Sequence, residues 1–158
     1  RSVSFVGQPD YSTAFSQRYF SYLAAASQLP VETPDDMLIG RPDKEMNELI
    51  AELTQRIGAR ETLPDAFYCA NDYIAIMLIR ALTTQGISIP EQVSIIGVDN
   101  NPVSALVSPQ LCSLDIQCEQ QAHYALRRMT ELLQDKTSEP VRLLIQPRLI
   151  PGASVQHA

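Results

Sequence analysis

The chain has 158 residues, of which 45% are hydrophobic and 19% charged, a composition typical of one globular domain. Its formal net charge of −6 argues against direct binding of nucleic acid, because an acidic surface repels phosphates. The sequence has no run of about 18 apolar residues, so it predicts no transmembrane helix.

The first part of the chain predicts a strand, a helix, a short strand and a second helix. The apolar segment 2–7 reads as a buried strand that ends in a Gly-Gln-Pro loop. A serine and a threonine can cap a helix over residues 12–28. Residues 36–39 are a short strand candidate, and apolar residues at helical spacing predict an amphipathic helix over residues 43–57.

The middle of the chain predicts a strand, a helix and a second strand that form one βαβ unit. Residues 66–70 are an apolar, aromatic strand, and a helix capped at Asn71 runs from there to a glycine stop at residue 86. The β-branched segment 93–98 is the next strand and ends at Asp99. Such units wind right-handed into a parallel sheet.

The helix of this unit is apolar around almost its whole circumference. A helix of that kind has to be covered on more than one side. One side packs on its own sheet, and the other packs either within the chain or against a second protomer. The shortness of the chain favours the second protomer. The apolar positions are Ile74, Ala75, Ile76, Met77, Leu78, Ile79, Ala81 and Leu82.

The last part predicts a short strand, an amphipathic helix and a returning strand. After a proline-rich loop, residues 111–115 are a strand candidate and residues 117–134 are a helix with one apolar side. Residues 141–150 are one strand or a strand pair, and an internal proline indicates an edge position. The final residues, 154–158, are expected to fray. Strands and helices thus alternate, which predicts a doubly wound α/β fold with a mostly parallel sheet.

The sequence contains no motif for catalysis, nucleotide phosphates or a metal ion, so it predicts no enzyme, no cofactor and no metal site. Its three cysteines, Cys69, Cys112 and Cys118, lack regular spacing and predict small buried side chains rather than disulfides. Free thiols fit a reducing compartment such as the cytoplasm.

A ligand site is predicted at the carboxyl ends of the parallel strands. Asn71 and Asp99 each follow a strand, so they should face the same crevice. A carboxylate can accept hydrogen bonds from two neighbouring hydroxyls, and an amide can donate and accept, which suits a sugar. Two structural alternatives stay open: Asn71 can simply cap its helix, and Asp99 can simply order its own loop.

Residues 69–100, CANDYIAIMLIRALTTQGISIPEQVSIIGVDN, resemble the lactose/galactose repressor (LacI/GalR) family of bacterial transcription regulators. The resemblance rests on the Ala-Asn-Asp triplet at 70–72, on Pro90-Glu91, on Val93-Ser94-Ile95 and on Gly97 with Asp99. It extends more weakly over nearly the whole chain, including Arg18 and the last strand.

The resemblance implies a periplasmic-binding-protein-like (type I) effector domain, whose two subdomains enclose a ligand cleft. This chain resembles one subdomain plus a crossover segment. Residues 1–115 would form the second subdomain, and the crossover helix 116–136 would lead toward the first. Residues 141–151 would be the returning strand. The helix-turn-helix and the first subdomain of the family have no counterpart in these 158 residues.

By position, the resemblance assigns effector contacts to Arg18, Asn71, Asp99 and Arg41. Arg18 and Asp99 correspond to the pair that grips hydroxyls in sugar-binding members. Arg41 stands where the family often has an aromatic wall, and Pro42 beside it puts a stacking contact in doubt.

The family's dimer contacts fall on Ile76, Ile79, Arg80 and Val107. The expected protein is a cytoplasmic, homodimeric regulator that binds a small-molecule effector, expected to be a carbohydrate, and reaches operator DNA through an N-terminal helix-turn-helix. The alternative is a periplasmic sugar-binding protein of an ABC transporter, with the same fold and no DNA role.

Overall fold

The computed structural model describes residues 1–34, 36, 45–134 and 139–156. Two 3-10 turns, Pro9–Tyr11 and Pro102–Ala105, accompany the regular elements. In chain order, the strands and helices described are β1 Val3–Val6, α1 Thr13–Ala26, α2 Met46–Gly58, β2 Ala66–Cys69, α3 Asp72–Thr84, β3 Ser94–Val98, β4 Cys112–Asp115, α4 Cys118–Gln134 and β5 Arg148–Ile150.

The strands form one five-stranded sheet in the order β1-β2-β3-β4-β5. The first four strands run parallel, and β5 runs antiparallel against β4 at the edge of the sheet. The predicted α/β fold with a mostly parallel sheet is therefore confirmed. Pro147 directly precedes β5, and an edge strand tolerates a proline because it needs no hydrogen bond on its outer side.

The winding of the chain reverses at β1. After α1 the chain returns to the side of β1 that faces away from β2, where Val3 N donates to Glu32 O at 2.9 Å. On the other side of β1, Ala66 N donates to Ser2 O at 3.1 Å. Such a reversal opens a crevice at the carboxyl ends of β1 and β2, between which the direction of winding changes, and ligands of open α/β sheets bind at such a point.

Aromatic packing holds α1 on the sheet. The rings of Tyr19 and Tyr22 lie 5.0 and 5.7 Å from the ring of Phe5 on β1, and Tyr68 of β2 lies 5.7 Å from it. The hydroxyl of Tyr22 donates to Val3 O at 2.8 Å, so this buried phenol keeps a polar partner. These contacts fix the face of α1 that turns toward the crevice.

Helix α3 is covered within the chain itself, which differs from the expected cover by a second protomer. Seven of its eight apolar side chains are buried, and only Ile76 is partly exposed. The physical reason is α2, which packs along α3 and presents the buried side chains Leu49, Leu53 and Ile57. The apolar circumference of α3 therefore requires no partner.

Helix α4 has no buried residue in the described part of the chain. Its apolar side is exposed, with Leu126 at 63% and Leu133 at 81% relative exposure. Cys118, at its first turn, is exposed as well, so the prediction of small buried side chains holds for Cys69 and Cys112 only. The predicted strand over 141–150 is reduced to Arg148–Ile150.

The prediction that residues 154–158 fray is wrong for Ser154, which is fully buried. Its hydroxyl donates to Ile95 O at 2.6 Å and accepts from Cys112 N at 2.8 Å. Its backbone oxygen accepts from Ile95 N at 2.7 Å, and its N–H donates to Gln110 O at 3.0 Å. Ser154 thereby joins β3 to β4, and short-range sequence patterns carry no signal for such a bridge.

Ser154→Ala is expected to lower the free energy of unfolding by about 2 kcal/mol, because it leaves a buried N–H and a buried carbonyl unpaired. Ser27→Ala is the matched control, since Ser27 is exposed at the end of α1, and we expect a change within about 0.5 kcal/mol. Urea unfolding of both variants measures the difference. Equal stabilities would show that Ser154 does not bridge the strands.

Some predictions lie outside the described residues. The strand candidate 36–39 is described only at Asp36, and neither the predicted start of the second helix at residue 43 nor the site residue Arg41 is described. Among the residues that are described, no helix combines the length and the apolar character needed to cross a bilayer.

Candidate functional site

An ion pair between Arg18 and Asp99 lies at the carboxyl ends of β2 and β3. Arg18 Nη2 is 2.7 Å from Asp99 Oδ1, and Nη1 donates to Ala70 O at 2.5 Å. The guanidinium also lies 6.0 Å from the centre of the Phe15 ring. Three anchors therefore hold the arginine, and the arginine in turn orients the carboxylate. The structure thus brings together two of the predicted site residues from opposite halves of the chain.

The pair is partly open to solvent, with side-chain exposures of 18% for Arg18 and 36% for Asp99. Burial raises the pKa of the Asp99 carboxyl above its usual value, and the charge and hydrogen bond of Arg18 oppose that rise. Burial also raises the pKa of the neighbouring Tyr68 phenol. A half-desolvated carboxylate with one fixed cation is well suited to accept hydrogen bonds from a ligand.

Asn71 performs the capping role that was one of the two alternatives. Its Oδ1 accepts from Ile74 N at 2.9 Å, which closes the first turn of α3. Its side-chain amide nitrogen makes no hydrogen bond with the described residues and remains available as a donor. The same side chain can therefore cap the helix and contact a ligand.

The turn after β3 has an unusual backbone. Asp99 has φ = 108° and Asn100 has φ = 51°, in a region that side chains other than glycine's rarely adopt. Three consecutive amides of the turn are each held by one acceptor. Asp99 N donates to Leu114 O at 2.9 Å, Asn100 N to Ser113 Oγ at 3.0 Å and Asn101 N to Asp72 Oδ2 at 2.7 Å.

Asp72 is the buried acid at the centre of this network, with 1% exposure. Besides Asn101 N, its carboxylate accepts from Ser104 Oγ at 2.7 Å and from Ser113 Oγ at 2.6 Å. It passes so close to β3 that a Cβ at Gly97 would lie 2.2 Å from its Oδ1, which explains the glycine there. Asp72 and Ser113 were not predicted as site residues. The sequence signal for Asp72 was its place in the Ala-Asn-Asp triplet at 70–72.

A polar cavity of about 660 Å³ adjoins Asp99 on the side of α4. Carboxylate, amide and guanidinium groups dominate it, and no aromatic side chain among the described residues lines it. Such walls suit a hydroxylated ligand better than a planar aromatic one. Its lining includes Asn100, Asn101, Asp115, Gln117 and Arg148. Arg18 and Asn71 are not part of this lining, so the candidate site is larger than the cavity.

The described part of the chain holds no group of three or more histidine, cysteine, aspartate or glutamate side chains arranged to bind a metal ion.

A second concave surface, the α2–α3 groove, lies away from the sheet edge and has a volume of about 510 Å³. All four residues predicted at a dimer interface line it, namely Ile76, Ile79, Arg80 and Val107. Met46, 51% exposed, and Ile50 add apolar surface from α2. The fold thus gathers the four residues into one mostly apolar surface.

Comparison with known proteins identifies the family of the chain and its similarity to bacterial repressors. The family model of the periplasmic binding protein-like domain matches residues 1–155. The HTH-type transcriptional repressor PurR of Pasteurella multocida (strain Pm70) is 29% identical over 145 residues, covering 91% of this chain and 42% of the repressor. PurR of Mannheimia succiniciproducens is 30% identical over 141 residues, covering 89% of this chain and 41% of that repressor. The chain therefore spans less than half the length of these relatives.

Solved structures share the fold. The transcriptional regulator CelR, in complex with cellobiose, superimposes with a TM-score of 0.81 at 23% identity, over 96% of this chain and 46% of CelR. A LacI family regulator from Arthrobacter sp. FB24, in complex with lactose, gives a TM-score of 0.81 at 18% identity, over 98% of this chain and 57% of the regulator. The Escherichia coli repressor AscG gives a TM-score of 0.79 at 22% identity, over 97% of this chain and 55% of AscG.

Proposed function

Because this chain belongs to the periplasmic binding protein-like domain family, in the form found in LacI/GalR regulators, we propose that it binds the effector of a cytoplasmic transcriptional regulator. The effector is a carbohydrate, and the regulator reaches operator DNA through an N-terminal helix-turn-helix outside these residues. Since the curated relatives are repressors, a periplasmic transport protein is not favoured.

The observation that carries this proposal is the Arg18–Asp99 pair at the carboxyl ends of the parallel strands. Ala70 O and Asp99 Oδ1 hold the guanidinium, and the guanidinium in turn fixes the carboxylate, whose Oδ2 keeps accepting capacity. Two adjacent sugar hydroxyls match that acceptor, and the amide nitrogen of Asn71, which has no hydrogen bond with the described residues, supplies a donor. Arg41 remains a further proposed contact.

The proposed cleft has a second wall, formed by another subdomain. Residues 1–115 form the second subdomain, 116–136 cross over to the first, and 141–151 return. The exposed apolar side of α4 supports this arrangement, because an amphipathic helix of such length needs an apolar partner. Residues such as Leu126, Met129 and Leu133 would pack on the first subdomain.

Dimerisation is the other part of the proposed function. The α2–α3 groove is apolar at its centre and is continuous with Val107 of the loop after β3, which supports a twofold interface there. Effector binding would shift the two subdomains toward a closed state and so alter the spacing of two DNA-binding heads across the dimer. The ligand shifts this equilibrium only by its differential affinity for the two states.

The test uses the full-length protein bound to a fluorescently labelled operator. Cellobiose, lactose and ribose are titrated separately, with adenine as a planar heterocyclic control. We expect at least one sugar to change operator affinity by about fivefold or more, the usual range of allosteric coupling, and adenine to have no effect. A response to adenine alone would contradict a carbohydrate effector.

A further inference from the structure

We propose that Asp72 is a positioning residue for the effector site, which holds the Asp99 carboxylate against Arg18 without contacting the effector. The inference rests on the proposed function, because Asp99 must contact the effector for its position to matter. Asp72 itself is 1% exposed, so no ligand in the crevice reaches its carboxylate.

The first step of the argument is the backbone of the turn. Positive φ values at Asp99 and Asn100 cost free energy that the surroundings have to offset. The offsetting bonds come from the three held amides of residues 99–101. Two of these three depend on Asp72: one directly, through Asn101 N, and one through Ser113, whose hydroxyl accepts from Asn100 N and donates to Asp72 Oδ1.

The second step is the chemistry of the acceptor. An ionised carboxylate has two accepting oxygens and no donor, so it serves Asn101 N, Ser104 Oγ and Ser113 Oγ together. An asparagine of the same shape has one accepting oxygen and one amino group. With its amino group toward Asn101 N, it opposes a donor to that amide. With its amino group toward Ser113 Oγ, the serine hydroxyl has to give up its own bond and turn to accept. The asparagine also loses the extra strength of bonds to a charged acceptor.

The third step is the consequence for the ion pair. Asp99 directly follows β3. The direction of its side chain depends on its positive φ, which the hydrogen bonds of the amides of residues 99–101 stabilise. If the turn relaxes toward ordinary φ values, the Asp99 carboxylate moves off Arg18. The guanidinium keeps its bond to Ala70 O in either case. The effector site then loses its acceptor while the sheet stays intact.

The decisive measurement needs no effector. In the full-length protein with ¹³C-labelled aspartate carboxyls, the pKa of Asp99 is followed by NMR, and the signal is assigned by its absence in Asp99→Asn. Burial and the charge of Asp72 raise the pKa of Asp99, whereas Arg18 lowers it. The readout is therefore the rise in the pKa of Asp99 that Arg18→Met causes, compared between two backgrounds. That rise should be clear in the otherwise unmodified protein and much smaller in the Asp72→Asn background if Asp72 positions the carboxylate. An equal rise in both backgrounds means that Asp72 is only a neighbouring charge and overturns the proposal.

Two further variants separate positioning from stability. Ser113→Ala removes the acceptor of Asn100 N without a change of charge, so it too should reduce the effect of Arg18→Met on the pKa of Asp99, and it decides the question if Asp72→Asn does not fold. Ser104→Ala is the matched control. It removes one buried bond to the same carboxylate but releases no amide of the turn, so it should lower stability and leave the effect of Arg18→Met unchanged.

Affinity provides the second readout, with whichever of cellobiose, lactose or ribose changes operator binding. Asp72→Asn should weaken the binding of that sugar by about tenfold, which corresponds to the loss of one hydrogen bond. The same substitution in the Asp99→Ala background should add no further loss. Additive losses overturn the proposal. If Asp99→Ala alone leaves sugar binding intact, while Asp72→Asn reduces the effect of Arg18→Met on the pKa of Asp99 as proposed, Asp72 does position Asp99 and the proposed effector site is wrong.

Discussion

Replacement of Asp99 by alanine is expected to weaken effector binding by about 100-fold in the full-length protein. The carboxylate accepts hydrogen bonds from the ligand, and each bond to a charged group contributes about 1.5–3 kcal/mol, so two such bonds correspond to a factor of 100 or more. The substitution also leaves the guanidinium of Arg18 without its anionic partner. Calorimetric titration with the responsive sugar measures the loss.

The same variant should still bind the operator, because Asp99 lies at the sheet edge and contributes nothing to the buried core. Asp65→Ala is the matched control, since Asp65 is an exposed acid at the opposite end of the strands and pairs with Ser2. Its affinity for the sugar should equal that of the unmodified protein. A normal response to the sugar in Asp99→Ala would remove this residue from the site.

The second large effect is expected from Ile76→Asp, which should convert the dimer into monomers. Ile76 is the apolar residue of α3 that stays partly exposed, and it lines the α2–α3 groove together with Val107. Because a twofold interface contains the same residue of both subunits, Ile76→Asp places two aspartates in it. If burying each unpaired charge costs about 2 kcal/mol or more, the dimer dissociation constant rises by about 1000-fold or more.

Sedimentation velocity at micromolar concentration tests this expectation. Phe20→Asp is the matched control, because Phe20 is an apolar residue with 63% exposure on α1, outside the groove. That variant should sediment like the unmodified protein. If Ile76→Asp sediments as a dimer while its circular dichroism is unchanged, the interface lies elsewhere on the molecule.

The structural evidence for an interface at the α2–α3 groove differs from the reason that the sequence suggested. The apolar circumference of α3 pointed to a missing partner, but α3 packs against α2 and the sheet, and side chains such as Leu78 and Leu82 are fully buried within the chain. What supports an interface is narrower: one partly exposed isoleucine beside Arg80 and the apolar side chains of α2. Amphipathic periodicity cannot distinguish these cases, because it records that a side chain is apolar and not which surface covers it.

Part of the candidate site was predictable because it depends on the ends of strands. The carboxyl ends of parallel strands meet at one edge, so Asn71 and Asp99 were expected near each other from their local patterns alone. The partner Arg18 lies 81 residues from Asp99 and came from the family resemblance. Asp72 entered the prediction only as part of the Ala-Asn-Asp triplet, because its three hydrogen-bond donors lie 29 to 41 residues away.

The sequence by itself determined the kind and order of the elements. Strand and helix periodicities, capping residues and glycine stops act over a few residues, so the βαβ unit, the α/β class and the acid at the end of β3 were readable from it. Only the tertiary structure decided which side chains meet. The bridge made by Ser154, the anchoring of the turn by Asp72 and the cover of α3 by α2 all depend on strand register and helix packing. Those relations bring distant residues to within hydrogen-bond reach, and no local pattern encodes them.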